Sequence, residues 1–189
     1  MKTSLLALAL SAGLVALPVA HAANNHDGFF VNGNVGQSSV DKGYYDDDDT
    51  AFGANLGYRW AVSPNALIGI EGGYTHLGEV APTSGSGTTT KAEVNGWTAG
   101  VNGHFNITDN WYVSARGGLF RAKVKGDYLD GSVPVYVNDH SNDWYAGAGF
   151  GYDFGSGFSV GLDYDVYRTE KAGLELDPRV ISVSGEVRF

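Results

Sequence analysis

The sequence predicts an all-β fold, an eight-stranded antiparallel up-and-down β-barrel that spans a membrane. Three observations predict it: segments in which apolar residues alternate with small or polar ones, connections that alternate between short and long, and a high glycine and aromatic content. Glycine accounts for 28 of 189 residues and aromatic residues for 13%. Glycine interspersed among aromatic residues favours strands that approach one another closely over a disordered chain.

The charge and the cysteine content exclude several classes of protein. Twelve basic against 21 acidic residues give a formal net charge of −9, which argues against a nucleic-acid partner, because phosphate binding needs a basic face. The absence of cysteine excludes a disulfide scaffold and thiolate zinc sites.

Residues 1–22 have the features of a cleaved secretory signal peptide. Lys2 precedes an apolar run from Leu5 to Leu17, and Ala20-His21-Ala22 forms a small-x-small cleavage site. The alternative, a retained membrane anchor, is disfavoured because the run is shorter than the roughly 20 residues that a spanning helix needs. We therefore expect export, and a mature chain of residues 23–189 that forms one barrel domain.

The mature chain contains eight segments that alternate with period two, as strands with two different faces do. These segments are residues 29–37, 51–60, 67–77, 93–105, 111–123, 144–154, 158–167 and 180–189. In the clearest of them, Trp144 to Phe154, large apolar residues and alanines alternate with tyrosine, glycine and aspartate. The pair Gly117-Gly118 is expected to mark a β-bulge that would re-aim Arg121 and Lys123.

The connections between these segments alternate strictly between short and long. The short ones are residues 61–65, 106–110 and 155–157, and the long ones are residues 41–49, 80–91, 126–141 and 169–178. Tight turns at one rim and long loops at the other are typical of an up-and-down barrel in an outer membrane.

The polarity of the two faces distinguishes a membrane barrel from a soluble one. One face carries Trp60, Trp97, Trp111 and Trp144 with aliphatic residues, and the other carries the charges. A lipocalin-like periplasmic barrel, the alternative, has its apolar face inside and its polar face outside. Aromatic residues near strand ends instead fit the two interfacial belts of a membrane barrel.

The sequence resembles the OmpA-type transmembrane domain of Gram-negative outer membranes over residues 28–189. The motifs that carry this resemblance are Gly69-Ile70-Glu71-Gly72-Gly73-Tyr74 with Leu77-Gly78, Ile107-Thr108-Asp109, Ala115-Arg116-Gly117-Gly118, Asp163-Tyr164, Pro178-Arg179 and Val187-Arg188-Phe189. The resemblance implies location in the outer membrane and an insertion signal at Phe189 that the insertion machinery recognises. The peptidoglycan-binding domain of full-length family members is absent from the sequence.

The inward face is predicted to hold a polar network in the lumen. Its predicted members are Arg59, Glu71, Asn102, Arg116, Asp153, Asp163, Asp165, Glu186 and Arg188. Glu71 matches the central acid of the family's lumenal gate, but Asn102, Gly151 and Gly161 replace the matching partners. A closed polar plug is the first interpretation, because eight strands leave a lumen that side chains nearly fill. A narrow conductance beside the inward glycines is the second.

Two charged clusters lie toward the long-loop rim. The run Asp46, Asp47, Asp48 and Asp49 is a weak candidate for calcium or for divalent-bridged contact with lipopolysaccharide, against the simpler reading of a solvated loop. Arg121, Lys123 and Lys125 could pair with anionic lipid headgroups or lipopolysaccharide, or form an ordinary solvated rim.

Nothing in the sequence predicts catalysis or a cofactor. Adjacent residues such as Asp139, His140 and Ser141 do not form a triad by adjacency. His104 is expected to point inward near the short-turn rim, far from lipid substrates in the outer leaflet, and His76 to face lipid near the long-loop rim with no serine beside it. We therefore expect a monomeric, non-enzymatic barrel whose four outer loops serve adhesion, binding to a host or cell-surface ligand, or envelope integrity. The alternative function is a narrow, low-conductance pore for ions or small solutes.

Overall fold

The computed structural model describes residues 26–42, 45–80, 92–130, 133–155, 157–171, 174–176 and 178–189. The predicted signal peptide and nearly all of the predicted 80–91 loop lie outside these residues. In the described part of the chain, no helix is long and apolar enough to cross a membrane.

The described residues form ten strands. They are β1 (Gly28–Lys42), β2 (Tyr45–Ser63), β3 (Ala66–Val80), β4 (Ala92–Asn106), β5 (Trp111–Asp130), β6 (Val133–Asp153), β7 (Phe158–Tyr167), β8 (Thr169–Lys171), β9 (Leu174–Leu176) and β10 (Arg179–Arg188). Eight of them close into one barrel in the order β1-β10-β7-β6-β5-β4-β3-β2, with every neighbouring pair antiparallel. The predicted eight-stranded up-and-down barrel is confirmed, and pairing of Val31 with Val187 is part of its closure.

Two predicted long loops, residues 41–49 and 126–141, are instead largely strand. The ladder between β1 and β2 continues to Lys42 and Tyr45, and that between β5 and β6 continues to Asp130 and Val133. Outside the membrane, outward side chains do not contact lipid and need not be apolar. The strand extensions therefore lack the alternating pattern, and their sequences resemble polar loops. The predicted 169–178 loop contains the small β8–β9 hairpin.

The predicted bulge at Gly117-Gly118 is wrong. The pairing of β5 with both of its neighbours is continuous through these residues, and the irregularities lie between Ala61 and Ser63 and between His76 and Glu79. A Cβ on Gly118 would collide with the backbone of the neighbouring strand at Ala99. Glycine there permits close strand approach within a regular ladder.

Large apolar side chains cover the outward face of the barrel. Leu119, Leu56 and Ile181 are each exposed by more than 60%. Exposed apolar surface that surrounds a whole molecule is incompatible with water and fits lipid contact. All four tryptophans lie on this face, with Trp60 and Trp111 toward the short-turn rim and Trp97 and Trp144 toward the opposite rim.

The interior of the barrel has three layers. Next to the short turns are buried Phe30, Leu67, His104 and Asp153. The middle layer is a network of charged and amide side chains. Toward the opposite rim the lumen is filled by an apolar cluster of Ala51, Leu77, Phe120, Ala122, Tyr145, Tyr167 and Val180.

Candidate functional site

A chain of hydrogen bonds crosses the middle of the lumen. The Arg59 guanidinium donates through Nη1 and Nη2 to the Glu186 carboxylate at 2.5 and 3.0 Å. Its Nε donates to Asn102 Oδ1 at 2.6 Å, and Asn102 Nδ2 donates to Glu71 Oε2 at 3.0 Å. The hydroxyl of Tyr145 completes the chain by donating to Glu71 Oε1 at 2.7 Å. Five strands are thereby connected through side chains as well as through the sheet.

The Arg59 side chain is also supported by an aromatic ring. Its Cζ lies 4.0 Å from the centroid of the Phe30 ring, within the range of a cation–π contact. Phe30 is 1% exposed, so the guanidinium is enclosed between a ring and a carboxylate. Bidentate pairing satisfies the planar guanidinium fork, which a buried charge requires.

A second bidentate pair joins Arg116 to Asp165. Arg116 Nε donates to Oδ1 at 2.7 Å and Nη2 donates to Oδ2 at 2.5 Å. Asp165 is 1% exposed. The carboxylate lies against Gly147 on the neighbouring strand, where a Cβ would collide with its Oδ1. Because Gly147 has no side chain, it leaves the space that the Asp165 carboxylate occupies in this ion pair.

Asp153 is the centre of a third cluster, close to the short turns. Its Oδ2 accepts from Asn106 Nδ2 at 2.8 Å and lies 3.0 Å from His104 Nε2, while Oδ1 accepts from Ser159 Oγ at 2.5 Å. The backbone carbonyl of Asp153 accepts from Asn110 Nδ2 at 2.9 Å. One buried carboxylate thus ties the β4–β5 turn to the beginning of β7.

The other two predicted network residues, Asp163 and Arg188, also face inward. Asp163 lines a cavity of about 30 Å³ in the lumen, and Arg188 is 6% exposed. Among the residues that line the cavity are Asn32, Asn55, Tyr112, Ser114 and Ser184. The cavity is polar and large enough for a water molecule.

The sequence places Tyr145 on the inward face but does not predict its part in the network, and the inward Tyr112 and Phe120 were missed. All three lie on the small and polar face. Each occupies space left by an inward glycine, which is on a neighbouring strand for Tyr112 and Phe120 and two strands away for Tyr145. A Cβ at Gly100 would lie 2.6 Å from the Tyr145 hydroxyl, and one at Gly96 would lie 2.5 Å from the Phe120 ring. Paired glycines and aromatic residues of the same orientation are the sequence signal that could have found them.

The other predicted residues lie at the two rims. Phe189, the predicted insertion signal, is 45% exposed, and its backbone N–H donates to Phe29 O at 2.9 Å. The backbone of Asp46 to Asp48 belongs to β2, but the side chains are outside the described residues. Asp49 accepts a hydrogen bond from the Thr50 N–H at 2.7 Å. Within the described ranges, no group of three or more potential metal-ligating residues occurs.

Comparisons with known proteins agree with the architecture. The sequence model of the outer membrane protein beta-barrel domain family matches residues 7–189. No curated protein matches the chain.

The fold is similar to several solved barrels at low sequence identity. Ail, the attachment invasion locus protein of Yersinia pestis, is 14% identical with a TM-score of 0.54, over 86% of this chain and 99% of Ail. Neisserial surface protein A is 13% identical with a TM-score of 0.57, over 86% and 97%. The N-terminal barrel domain of OprF from Pseudomonas aeruginosa is 9% identical with a TM-score of 0.51, over 89% and 100%. At these identities the likeness concerns the fold.

The closed barrel, its apolar outer face and the match over nearly the whole length lead to one assignment. The chain belongs to the outer membrane protein beta-barrel domain family, and it is an integral β-barrel of the Gram-negative outer membrane.

Proposed function

We propose that the protein is a monomeric, non-enzymatic barrel with a sealed lumen, whose outer segments interact with ligands on other cells or host surfaces and whose wall contributes to envelope integrity. The observation that carries the sealed-lumen proposal is the Glu186–Arg59–Asn102–Glu71–Tyr145 network. Opening a passage would require separating the buried, bidentate ion pair of Arg59 and Glu186, which is costly in a medium of low dielectric.

The apolar cluster supports the same conclusion from the opposite rim. Phe120 and Tyr167 pack edge to face at 5.0 Å between ring centroids, and Tyr145 stacks with Tyr167 at 6.0 Å. All three side chains are at most 3% exposed. A hydrated solute would have to lose its water to pass such a cluster, so transport is a poor fit to this lumen.

Surface interaction is supported by the extent of the strands. β5 and β6 contain 20 and 21 residues, about twice the 9–11 that a membrane-spanning strand needs. The short turns and both ends of the barrel lie at one rim, which faces the periplasm in outer-membrane barrels. The extensions of β5 and β6 lie at the other rim and therefore project outside the cell. Ail, which has a similar fold, has been crystallised with the heparin analogue sucrose octasulfate. An anionic saccharide is therefore one reasonable class of ligand to test.

Catalysis is disfavoured by the geometry around His104. A nucleophile must contact its general base, yet Ser159 donates to Asp153 rather than to the histidine. His104 instead stacks on the Tyr112 ring at 4.1 Å between centroids. Among the described side chains, this cluster therefore has a structural role in closing the rim.

Conductance and ligand binding together test the proposal. The full chain, reconstituted in planar bilayers, is expected to give no steps above background. A variant in which residues 127–138 are replaced by a short turn should lose binding to host cells and still show the heat-modifiable mobility of a folded barrel. Discrete conductance in the unaltered protein would instead favour the narrow pore, for which the polar cavity beside Asp163 is the supporting observation.

The remaining expectations concern maturation and assembly. We propose cleavage before Ala23, recognition of the strand ending in Phe189 by the insertion machinery, and a monomeric state without nucleic-acid partners or cofactors. The mass of the purified protein gives the cleavage point, and light scattering in detergent gives the oligomeric state. Replacement of Phe189 by a polar residue should lower the yield of folded protein in outer membranes.

A further inference from the structure

The polar network in the lumen contains more carboxylates than arginines. The arginines are Arg59, Arg116 and Arg188, and the carboxylates are Glu71, Asp153, Asp163, Asp165 and Glu186. Protonation of His104, which lies 3.0 Å from Asp153, would still leave five negative charges against four positive ones. An unbalanced charge inside a membrane-spanning barrel is costly unless a counter-charge lies close to it. The described side chains of this network therefore require at least one further positive charge.

The excess of negative charge lies at the polar cavity of about 30 Å³ in the lumen. The cavity is lined by two guanidinium groups and three carboxylates, which belong to Arg59, Arg116, Glu71, Asp163 and Glu186. Arg59 holds Glu186 in a bidentate pair. Arg116 pairs instead with Asp165, which is not part of the lining. Among the ion pairs of the described residues, none involves the other two carboxylates of the cavity.

Asp163 is the less well compensated of these two carboxylates. Glu71 already accepts two hydrogen bonds from neutral side chains. For Asp163, the Ser184 hydroxyl is the donor that the described side chains provide. Arg116 attracts Asp163 through its charge without a hydrogen bond, and two neighbouring carboxylates repel it. The additional positive charge is therefore needed most at Asp163.

Oxygen atoms surround the space next to Asp163. A Cβ at Gly149 would collide with both Asp163 Oδ1 and Ser114 Oγ, so these two oxygens share the space that the glycine leaves. The Tyr112 hydroxyl occupies the space at Gly161 in the same way, since a Cβ there would lie 2.6 Å from it. The three oxygen-bearing side chains all line the cavity.

Two buried oxygen atoms in this part of the lumen have no hydrogen-bond partner. Asn32 Oδ1 is one of them, and Asn32 lines the cavity. The other is Ser182 Oγ, on a residue that is 3% exposed and pairs with Asp163 across the β7–β10 ladder. Buried polar atoms without a protein partner are normally met by a water molecule or an ion.

We propose that the cavity binds one monovalent cation, such as sodium, between Asp163, Ser114, Ser184 and Asn32. The carboxylate supplies the charge, and the hydroxyl and amide oxygens supply neutral ligands of the kind that hard cations take. A divalent ion is a poorer fit, because the described residues contain no group of three or more potential metal-ligating side chains. A bound monovalent ion balances the excess carboxylate without opening a passage through the lumen.

The test compares the full-length mature protein in sodium chloride and in choline chloride at the same concentration. Equal ionic strength keeps the screening of surface charges the same, and choline is too large for a cavity of about 30 Å³. Urea titration in phosphatidylcholine vesicles gives the equilibrium constant for folding in each salt. We expect this constant to be about tenfold higher in sodium chloride, as mass action requires when the ion concentration is about ten times the dissociation constant.

Substitution of Asp163 identifies the site. D163N keeps the shape of the side chain and removes its charge, so its folding constant should be the same in both salts. S114A removes one neutral ligand and should reduce the sodium effect to about threefold, because the ion then binds more weakly. The control is D109N, at an exposed turn position, which should keep the full sodium effect.

Two results would overturn the proposal. One is an equal folding constant of the unaltered protein in the two salts, which is expected if a proton rather than an ion neutralises Asp163. The other is a full sodium effect in D163N, or in S114A if D163N lacks the heat-modifiable mobility of a folded barrel. Either result would leave the surface role and the sealed lumen unaffected, because cell binding and conductance measure those.

Discussion

The Tyr145 hydroxyl donates to Glu71 Oε1 at 2.7 Å, and this one bond joins the apolar and polar layers of the lumen. The Tyr145 ring belongs to the apolar cluster, whereas Glu71 belongs to the charged network through Asn102. The bond spans 74 positions of the sequence, from β6 to β3. It therefore fixes the register of the two layers across the barrel.

Replacing Tyr145 with phenylalanine removes the hydroxyl and leaves the ring in place. A hydrogen bond to a charged group contributes about 1.5–3 kcal/mol, so Y145F should lower the free energy of unfolding by about 2 kcal/mol. Urea titration in lipid vesicles, followed by tryptophan fluorescence, measures this loss. Y152F is the matched control, because Tyr152 lies on the outward aromatic girdle beside Trp111. Equal losses in both variants would contradict the role of the Glu71 bond.

The barrel itself was predictable because lipid imposes a strict rule on one face. The segment from Trp144 to Phe154 must alternate, since each second side chain contacts acyl chains. The extensions of β5 and β6 obey no such rule beyond the membrane, so the sequence of residues 126–141 predicts a loop where the structure has strands.

The composition of the lumen was predictable, but its pairing was not. Alternation placed Arg59 and Glu186 on the inner face, yet they are 127 positions apart and meet only through the register of the closed barrel. Alternation also placed Tyr145 on the inner face, but its bond to Glu71 could not be predicted from the sequence. The Tyr145 hydroxyl reaches across β5 to the space left by Gly100 on β4, and only the closed barrel brings these residues together.

Breaking the Arg59–Glu186 pair should be more harmful than removing it. Both side chains are at most 8% exposed, so R59M leaves the Glu186 charge without its guanidinium partner. Loss of one partner of a buried ion pair costs about 3–5 kcal/mol, whereas replacing both is often close to neutral. The double variant R59M/E186L should therefore be more stable than either single variant. A double variant whose loss equals the sum of the single losses would show that the pair has no coupling energy.

Adding one methyl group at Gly147 should disrupt the Arg116–Asp165 pair. The new Cβ collides with Asp165 Oδ1, and the carboxylate must move out of its bidentate geometry. Overpacking of this kind costs about 1–3 kcal/mol. G33A is the control, because a Cβ at Gly33 has nothing within 4 Å. Urea unfolding in vesicles should show a lower midpoint for G147A and an unchanged or slightly higher midpoint for G33A. The reverse order would show that the Arg116–Asp165 pair does not depend on the space at Gly147.

Removing the Asp153 carboxylate should loosen the short-turn rim. D153A deprives His104, Asn106 and Ser159 of a common partner, and each buried polar group left unsatisfied costs about 1–3 kcal/mol. The turn residues that Asp153 ties down should then open more often, because the backbone bond from Asp153 N–H to Asn110 O at 2.7 Å loses its support. Hydrogen exchange of peptides covering residues 106–112 should accelerate at least about tenfold, whereas D109A, at an exposed turn position, should leave it unchanged. If residues 106–112 remain protected from hydrogen exchange in D153A, the ladder between β4 and β5 stabilises this rim rather than the Asp153 carboxylate.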